Sequence, residues 1–171
     1  TNAFGLKDVE NNIALKPADI FRIASISKSF SATSIMQLVQ KKKLKLEDDV
    51  SNLIGFKVRN PKFPQTVITL KMLLSHTSSL NDSEGYFTLD AINPDKNSNW
   101  QKCYNNYEPG KGYQYCNLNF NITGTIIEKF SVERFDRYVI NHILAPLKLY
   151  GGYNVNELDP SRFAKIYEYN A

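Results

Sequence analysis

The sequence lacks any long apolar run, because no stretch approaches the roughly 18 consecutive apolar residues of a membrane span. It also lacks a strong charge of either sign, since 21 Lys and Arg face 17 Asp and Glu and leave a net charge of +4. We therefore expect neither a membrane-spanning segment nor a nucleic-acid-binding protein. With 42% hydrophobic and 22% charged residues among 171, the composition is typical of one globular domain or a large part of one.

The chain has only two cysteines, Cys103 and Cys116, which are too few for a disulfide scaffold and have no metal-site spacing. A single disulfide between them would fit an oxidising compartment, and two free thiols fit the sequence equally well. We expect no bound metal. The first residue is Thr1 rather than Met, and no charged-then-apolar leader follows it, so we expect that any secretion signal was removed or never included.

The apolar pattern predicts a mostly helical chain. Helical spacing or a capping residue predicts helices at 25–40, 46–55, 69–76, 118–130, 135–143 and 159–169. Gly55 ends the second, and Asp159 with Pro160 begins the last. The alternating stretches "AFGLKD" and "DIFRIA" predict short strands or extended segments, and 81–112 has no period. Acidic residues at 47–49 follow a basic cluster at 41–45, which indicates a solvated helix end rather than an anion-binding patch.

Ser25 and Lys28 form the pattern S-x-x-K where an extended segment meets the first long predicted helix. At a helix start, free amide N–H groups and the helix dipole favour developing negative charge, and Lys28 lies one turn further along the same face. A serine becomes a good nucleophile when a neighbour accepts its proton, which a partly neutral lysine can do. We interpret the pair as a candidate nucleophile and base. The alternative is that Ser25 is an N-cap and Lys28 a solvated first-turn residue.

The tripeptide Y-x-N occurs twice, at Tyr115 to Asn117 and at Tyr104 to Asn106. Tyr115 follows a glycine-flanked turn and leads directly into a strongly predicted helix, whereas Tyr104 lies inside the irregular stretch. The context therefore favours Tyr115 and Asn117 as the second candidate functional pair.

Four blocks of sequence, in this order and spacing, resemble the class C β-lactamase and penicillin-binding-protein-like serine hydrolase family, which includes D-alanyl-D-alanine carboxypeptidases and several esterases. The blocks are "FRIASISKSFSATSIMQLVQKKKLKLEDDVSNLI", "ITLKMLLSHTSSL", "PGKGYQYCNLNFNITGTIIEK" and "YVINHILAPLKL". S-x-x-K is itself a signature of this broad group. The resemblance implies an α+β, β-lactamase/transpeptidase-like fold. Residues 1–24 would be the edge of its sheet region, and residues 25–171 its helical domain, with few short strands.

Carried over by position, the resemblance implies four site residues. Ser25 would be the acylated nucleophile and Lys28 its proton acceptor, Tyr115 would pass the proton to the leaving group, and Asn117 would orient the substrate amide. His76 matches a histidine that is structural in the family, so we do not expect it to be catalytic.

Two positions depart from the family pattern. Ser79 stands where glycine is usual, which predicts a change in that turn. Cys116 occupies the middle of Y-x-N, where small polar residues are usual, and we expect no chemistry from its side chain.

The family pattern also includes Lys or His, then Thr or Ser, then Gly, on a strand that faces the serine. None of these tripeptides occurs among the 171 residues. We therefore expect the C-terminal sheet region to be absent from this chain and the chain alone to be inactive or nearly so. Helix faces that would pack on that sheet should be exposed or covered by another copy, so self-association is expected to occur through them.

For the full-length protein, the resemblance implies a bacterial serine hydrolase, periplasmic or at the cell surface, that forms an acyl-enzyme without metal or organic cofactor. Its substrate would be a β-lactam, a D-Ala-D-Ala peptide or an ester, and we favour a D-alanyl-D-alanine carboxypeptidase or an esterase-like cell-wall hydrolase. The alternative is a catalytically silent, penicillin-binding-like module that binds peptidoglycan or a partner protein. A helical scaffold with coincidental motifs is disfavoured by the four ordered blocks.

Overall fold

The structure is a computed structural model and describes residues 2–168. It begins with a two-stranded antiparallel sheet, in which β1 (Leu6–Asp8) pairs with β2 (Ile13–Ala14). The α-helices that come next are α1 (Lys28–Gln40), α2 (Val50–Ile54), α3 (Leu70–Leu74), α4 (Asn117–Ser131) and α5 (Phe135–Val139). A π-helical turn, Ile140–Leu144, continues α5, and 3-10 turns lie at Ala24–Ser27, Leu89–Ile92, Trp100–Cys103, Val155–Glu157 and Pro160–Arg162.

Helix α4 lies at the centre of the fold and contacts α1, α2, α3 and α5. Its residues Leu118, Ile122 and Ile126 are fully buried and recur every four positions, as the apolar pattern predicts. From α1, Ile35 and Leu38 pack into the same core. Because each fully buried side chain of this size contributes roughly 1.5–3 kcal/mol, the packing of α1 on α4 firmly holds the two helix starts, near residues 25 and 117, next to each other.

The short helix α2 begins after Asp49 rather than at residue 46, and it ends at Gly55 as predicted. Asp49 is its N-cap and accepts a hydrogen bond of 2.9 Å from the backbone N–H of Ser51. Arg59 forms a two-pronged ion pair with the same carboxylate and holds the pKa of Asp49 below its usual value. Gly55 ends the helix at φ +98°, a conformation that glycine adopts without strain.

Several predicted elements differ from the structure in detail. Ile26, which belongs to the predicted apolar stripe of the first helix, is 68% exposed, and α1 buries Ser31 and Ser34 in addition to its apolar residues. In the predicted strand "DIFRIA", Ile20 alone pairs, through an isolated bridge to Phe163.

The last predicted helix is also shorter than expected. Asp159 caps the 3-10 turn Pro160–Arg162 by accepting from the N–H of Ser161, and the chain is irregular after Phe163. The end of that predicted helix, residue 169, lies outside the described residues, as do the last three residues of the predicted helical domain.

The described chain is mostly helical with one small sheet, in agreement with the expected fold class. No helix within residues 2–168 has the length and apolar character needed to cross a bilayer. Among the same residues, no three His, Cys, Asp or Glu side chains are grouped so as to hold a metal ion.

Candidate active site

Ser25 lies in a single 3-10 turn, Ala24–Ser27, that runs directly into α1. The preceding residue, Ala24, has a φ of +45°, which is uncommon for a residue with a Cβ atom. This left-handed residue separates the extended segment from the helix, and Ser25 is exposed just where the helix begins. The nucleophile candidate is therefore presented at a helix start, as the sequence pattern predicts.

The structure brings all four predicted site residues together. The Nζ atom of Lys28 lies 3.1 Å from Ser25 Oγ, and the Tyr115 hydroxyl donates to the same Oγ at 2.7 Å. Lys28 Nζ also donates to Asn117 Oδ1 at 2.8 Å. A hydroxyl, an amine, a phenol and an amide from segments about 90 residues apart thus share one hydrogen-bonded cluster.

The electrostatics of this cluster favour proton transfer at Tyr115. The Lys28 ammonium, and then the Ser25 hydroxyl, lower the pKa of the Tyr115 phenol below its usual value. Lys28 Nζ lies 4.9 Å from the centre of the Tyr115 ring, so the positive charge is close to the aromatic face as well. A phenol with a lowered pKa is a stronger acid, so it gives up its proton more readily.

The turn that leads to Tyr115 depends on its glycines. Gly110 has a φ of +87°, which favours a residue without Cβ. At Gly112 an added Cβ would lie 2.7 Å from the Tyr107 ring, so only glycine fits without displacing that ring. Glycine is therefore needed for steric reasons in the turn before Tyr115, the turn that distinguishes this Y-x-N from the one at Tyr104.

The His76 ring packs against the Tyr115 ring. Its ring lies 4.6 Å from the Tyr115 ring at an angle of 33°, and its Nδ1 accepts from the backbone N–H of Cys116 at 3.2 Å. Burial, and then the positive charge of Lys28, lower the pKa of His76, while Asp82 opposes this effect. The imidazole packs against the Tyr115 ring, and its structural role stays a prediction.

Asp82 is the residue of the site that the sequence analysis misses. Its carboxylate accepts from the backbone N–H groups of Asn117 and Leu118 and from Asn117 Nδ2, all at 2.9 Å, and from Cys116 Sγ at 3.2 Å. Burial by itself would raise the pKa of Asp82, but these donors hold it below its usual value. One signal points to such a residue: Cys116 is a poor N-cap, so the first N–H groups of α4 need an acceptor from elsewhere.

The second Y-x-N and the cysteines do not supply acid or base groups to this cluster. Tyr104 is 7% exposed, and burial raises the pKa of its phenol, so it is not available as an acid or base at the surface. Cys103 and Cys116, both among the described residues, are buried free thiols, so the structure does not form the disulfide that the sequence left open. Burial raises the pKa of Cys116 to about 12.

Ser79 lies in a left-handed conformation at the position where the family pattern has glycine. It adopts a φ of +64°, the left-handed conformation in which glycine carries no penalty. Its buried hydroxyl accepts from Asn60 Nδ2 at 3.0 Å. This hydrogen bond offsets part of the backbone strain that the serine introduces.

An open groove of about 410 Å³ lies along the outer face of α4, beside this cluster. It begins at Phe120, whose ring centre is 5.6 Å from Lys28 Nζ, and it reaches Phe135. Phe87 and Leu89 also line it. Phe120 is the lining residue that approaches the cluster, and none of the four site residues lines the groove itself.

The fold is that of the β-lactamase-type and penicillin-binding-type proteins. The chain is a member of the Beta-lactamase family, because the family model of that description matches residues 1–171, its full length. A putative penicillin-binding protein, PbpX of Bacillus subtilis, is 33% identical over 163 residues, which cover 92% of this chain and 39% of that protein.

Solved structures agree with this family. The octameric penicillin-binding protein homologue from Pyrococcus abyssi is 28% identical, with a TM-score of 0.73 over 94% of this chain and 39% of the other. EstCE1, a hydrolase with promiscuous acyltransferase activity, has the same fold, with a TM-score of 0.79 and 24% identity over 99% of this chain and 48% of the other. The chain spans only 30% to 39% of the length of the curated relatives that it matches.

Proposed function

We propose that the full-length protein is a serine hydrolase that works through an acyl-enzyme on Ser25. The observation that carries the proposal is the convergence of Lys28 Nζ and the Tyr115 hydroxyl on Ser25 Oγ, at 3.1 and 2.7 Å. A positioned amine and phenol can remove the serine proton as its oxygen attacks, which an isolated serine cannot achieve at neutral pH.

The proposed reaction has two halves. The neutral amine form of Lys28 takes the proton of Ser25 Oγ as this oxygen bonds to the carbonyl carbon, and Tyr115 donates its own proton to the leaving group as the bond from that group to the carbon breaks. Water then bonds to the acyl carbon and gives one proton to the Tyr115 phenolate. The bond from that carbon to Ser25 Oγ breaks, and Lys28 returns the proton to Ser25 Oγ. The backbone N–H of Ser25, at the start of the helix, is one donor suited to the oxyanion.

As the substrate, we favour a D-alanyl-D-alanine peptide or a small ester over a β-lactam. The assignment to this substrate range draws on relatives described as a putative penicillin-binding protein and as a hydrolase with acyltransferase activity. Substrates of the first kind are cell-wall components, so we also propose a periplasmic or cell-surface location for the full-length protein.

Turnover by the full-length protein tests the proposal. D-Alanine release from a D-Ala-D-Ala peptide, hydrolysis of a nitrophenyl ester and hydrolysis of a chromogenic cephalosporin are measured in parallel. Ser25→Ala should lower kcat for every active substrate by at least about 10³-fold. Ser29→Ala is the matched control, because Ser29 lies one residue after Lys28 and its hydroxyl donates to the Ile26 carbonyl rather than to the cluster. Activity retained in Ser25→Ala would contradict the proposal.

The second candidate, a catalytically silent module that binds peptidoglycan or a partner protein, is favoured by one observation. The 171 residues contain no Lys or His followed by Thr or Ser and Gly. If the full-length protein turns over none of the three substrates, yet binds peptidoglycan equally well with Ser25 or with alanine there, this second function is the correct one.

A further inference from the structure

The segment that follows α5 and its π-helical turn reaches back to the turn that carries Ser25. We propose that Tyr153 of this segment is a positioning residue, because its hydroxyl holds the turn Ala24–Ser27, and with it the Ser25 oxygen, in the reactive position. The effect on reactivity rests on the proposed function. The contact between Tyr153 and the turn stands without it.

The turn Ala24–Ser27 has little packing of its own. Its first three residues are exposed, Ile26 among them at 68%, and Ala24 has a strained φ of +45°. The side chain of Ser27, the N-cap of α1, donates to the Ala24 carbonyl rather than accepting from the helix. A strained and exposed turn of this kind opens easily unless contacts from elsewhere hold it.

Tyr153 supplies such a contact. Its hydroxyl donates to the backbone carbonyl of Ser27, and the two residues are 126 positions apart in the sequence. Within residues 2–168, this is the hydrogen bond that joins the backbone of the turn to a distant part of the chain. The start of α1 is therefore tied to the segment after α5.

Tyr153 is itself firmly placed. Its ring packs edge-on against Phe135, with the ring centres 4.6 Å apart at an angle of 65°. Phe135 begins α5, which contacts both α1 and α4. Partial burial raises the pKa of the Tyr153 phenol, although hydrogen bonds to Ser31 and Ser27 oppose this effect. The hydroxyl therefore keeps its proton near neutral pH and remains a donor.

The contact acts on the backbone that carries the nucleophile and its base. Ser27 lies between Ser25 and Lys28 in the sequence, so a carbonyl held at Ser27 limits rotation of the backbone on both sides. Ser25 Oγ and Lys28 Nζ, 3.1 Å apart, must stay close for the proton to pass as the oxygen attacks. Because Tyr153 bonds the backbone of the turn, it should affect the chemical step rather than the binding of a substrate.

Turnover by the full-length protein tests this, with whichever of the three substrates named above is hydrolysed fastest. Tyr153→Phe keeps the ring against Phe135 and removes only the hydroxyl. We expect kcat to fall about 5-fold or more, because small displacements of reacting groups slow the chemical step. KM should change by less than about 2-fold.

Tyr150→Phe is the matched control. Tyr150 lies in the same segment, and its hydroxyl accepts from the backbone N–H of Asp159 at 2.8 Å rather than bonding to the turn. This variant should leave kcat and KM unchanged. An unchanged kcat in Tyr153→Phe, an equal fall of kcat in both variants, or a change in KM alone would overturn the inference.

Hydrogen exchange separates the contact from the chemistry. Mass spectrometry of peptides from the full-length protein follows the backbone amides of residues 24–31. These should exchange about 5-fold or more faster in Tyr153→Phe than in the wild-type protein or Tyr150→Phe, because the turn opens more often. Equal exchange in all three proteins would overturn the contact. Faster exchange in a protein that hydrolyses none of the three substrates would support the contact, while the positioning role would be overturned together with the proposed function.

Discussion

Tyr115 is the residue on which the chemistry of the site depends most, because it is bonded to Ser25 and lies against Lys28 at once. It is 41% exposed, so burial does little to its ionisation. The nearby ammonium dominates and lowers its pKa. Lys28 therefore acts on Ser25 directly and also through the proton affinity of the phenol.

This electrostatic coupling can be measured without any substrate. The alkaline absorbance titration of Tyr115→Phe is subtracted from that of the wild-type protein, which isolates Tyr115 among the ten tyrosines. We expect its ionisation below the usual tyrosine value of about 10. In Lys28→Met the midpoint should move upward, because the positive charge that favours the phenolate is gone. An unchanged midpoint would contradict the assigned role of Lys28.

At the same scale, the sequence predicts some site residues and not others. Ser25, Lys28, Tyr115 and Asn117 lie in short motifs whose spacing reflects local geometry, and they meet as predicted. Asp82 lies 35 residues before its partner in a stretch without periodicity. The spacing of neighbouring residues does not predict which part of an irregular segment folds against a helix start. Asp82 could therefore be identified as the acceptor only from the structure.

At the level of the element, α1 and α4 show both the strength and the limit of apolar periodicity. The pattern predicts both helices because apolar residues at three- and four-residue spacing form one face. It does not predict which neighbour covers that face, and Ile26 and Met36 are exposed while Ser34 is fully buried. The buried Ser34 hydroxyl keeps a hydrogen-bond partner, because it donates to the Phe30 carbonyl at 2.8 Å.

The end of α4 offers a stabilising substitution. Val132 lies just after the helix with a φ of +63°, a strained conformation for a β-branched residue, and its side chain is 87% exposed. Val132→Gly removes the strain and loses little packing. We expect it to raise the free energy of unfolding by about 1 kcal/mol, measured by urea denaturation.

Val132→Ala is the matched variant, because it removes the β-branch but keeps a Cβ atom. Its effect should be smaller than that of glycine. If the Val132→Gly protein is less stable than both the wild-type protein and Val132→Ala, backbone strain from the positive φ at this position does not limit stability.

For the whole molecule, several large apolar side chains are exposed, some of them close in sequence to the small sheet and the start of α1. The clearest examples are Phe4, Phe21, Ile26 and Ile166, which are between 57% and 83% exposed. Patches of this kind often mark surfaces that another segment or another copy covers. Such a surface fits a chain that spans about a third of the length of its curated relatives.

We therefore expect the isolated 171-residue chain to react much more slowly with a penicillin or a fluorophosphonate than the full-length protein does. The four predicted site residues are present in both. The third motif of the family pattern, Lys or His followed by Thr or Ser and then Gly, does not occur in these 171 residues, so we expect the isolated chain to lack one wall of the substrate site and part of the oxyanion site. Intact mass spectrometry measures the adduct. Rapid, stoichiometric acylation of the isolated chain would show that the third motif is not needed.

The central claim is that Lys28 and Tyr115 activate the oxygen of Ser25. The full-length protein is treated with a fluorophosphonate, digested, and sequenced by tandem mass spectrometry, alongside Lys28→Met and Tyr115→Phe. We expect one adduct, on Ser25, that forms at least about 10²-fold more slowly in both variants. An adduct on another serine, or equal rates of labelling in all three proteins, would contradict it.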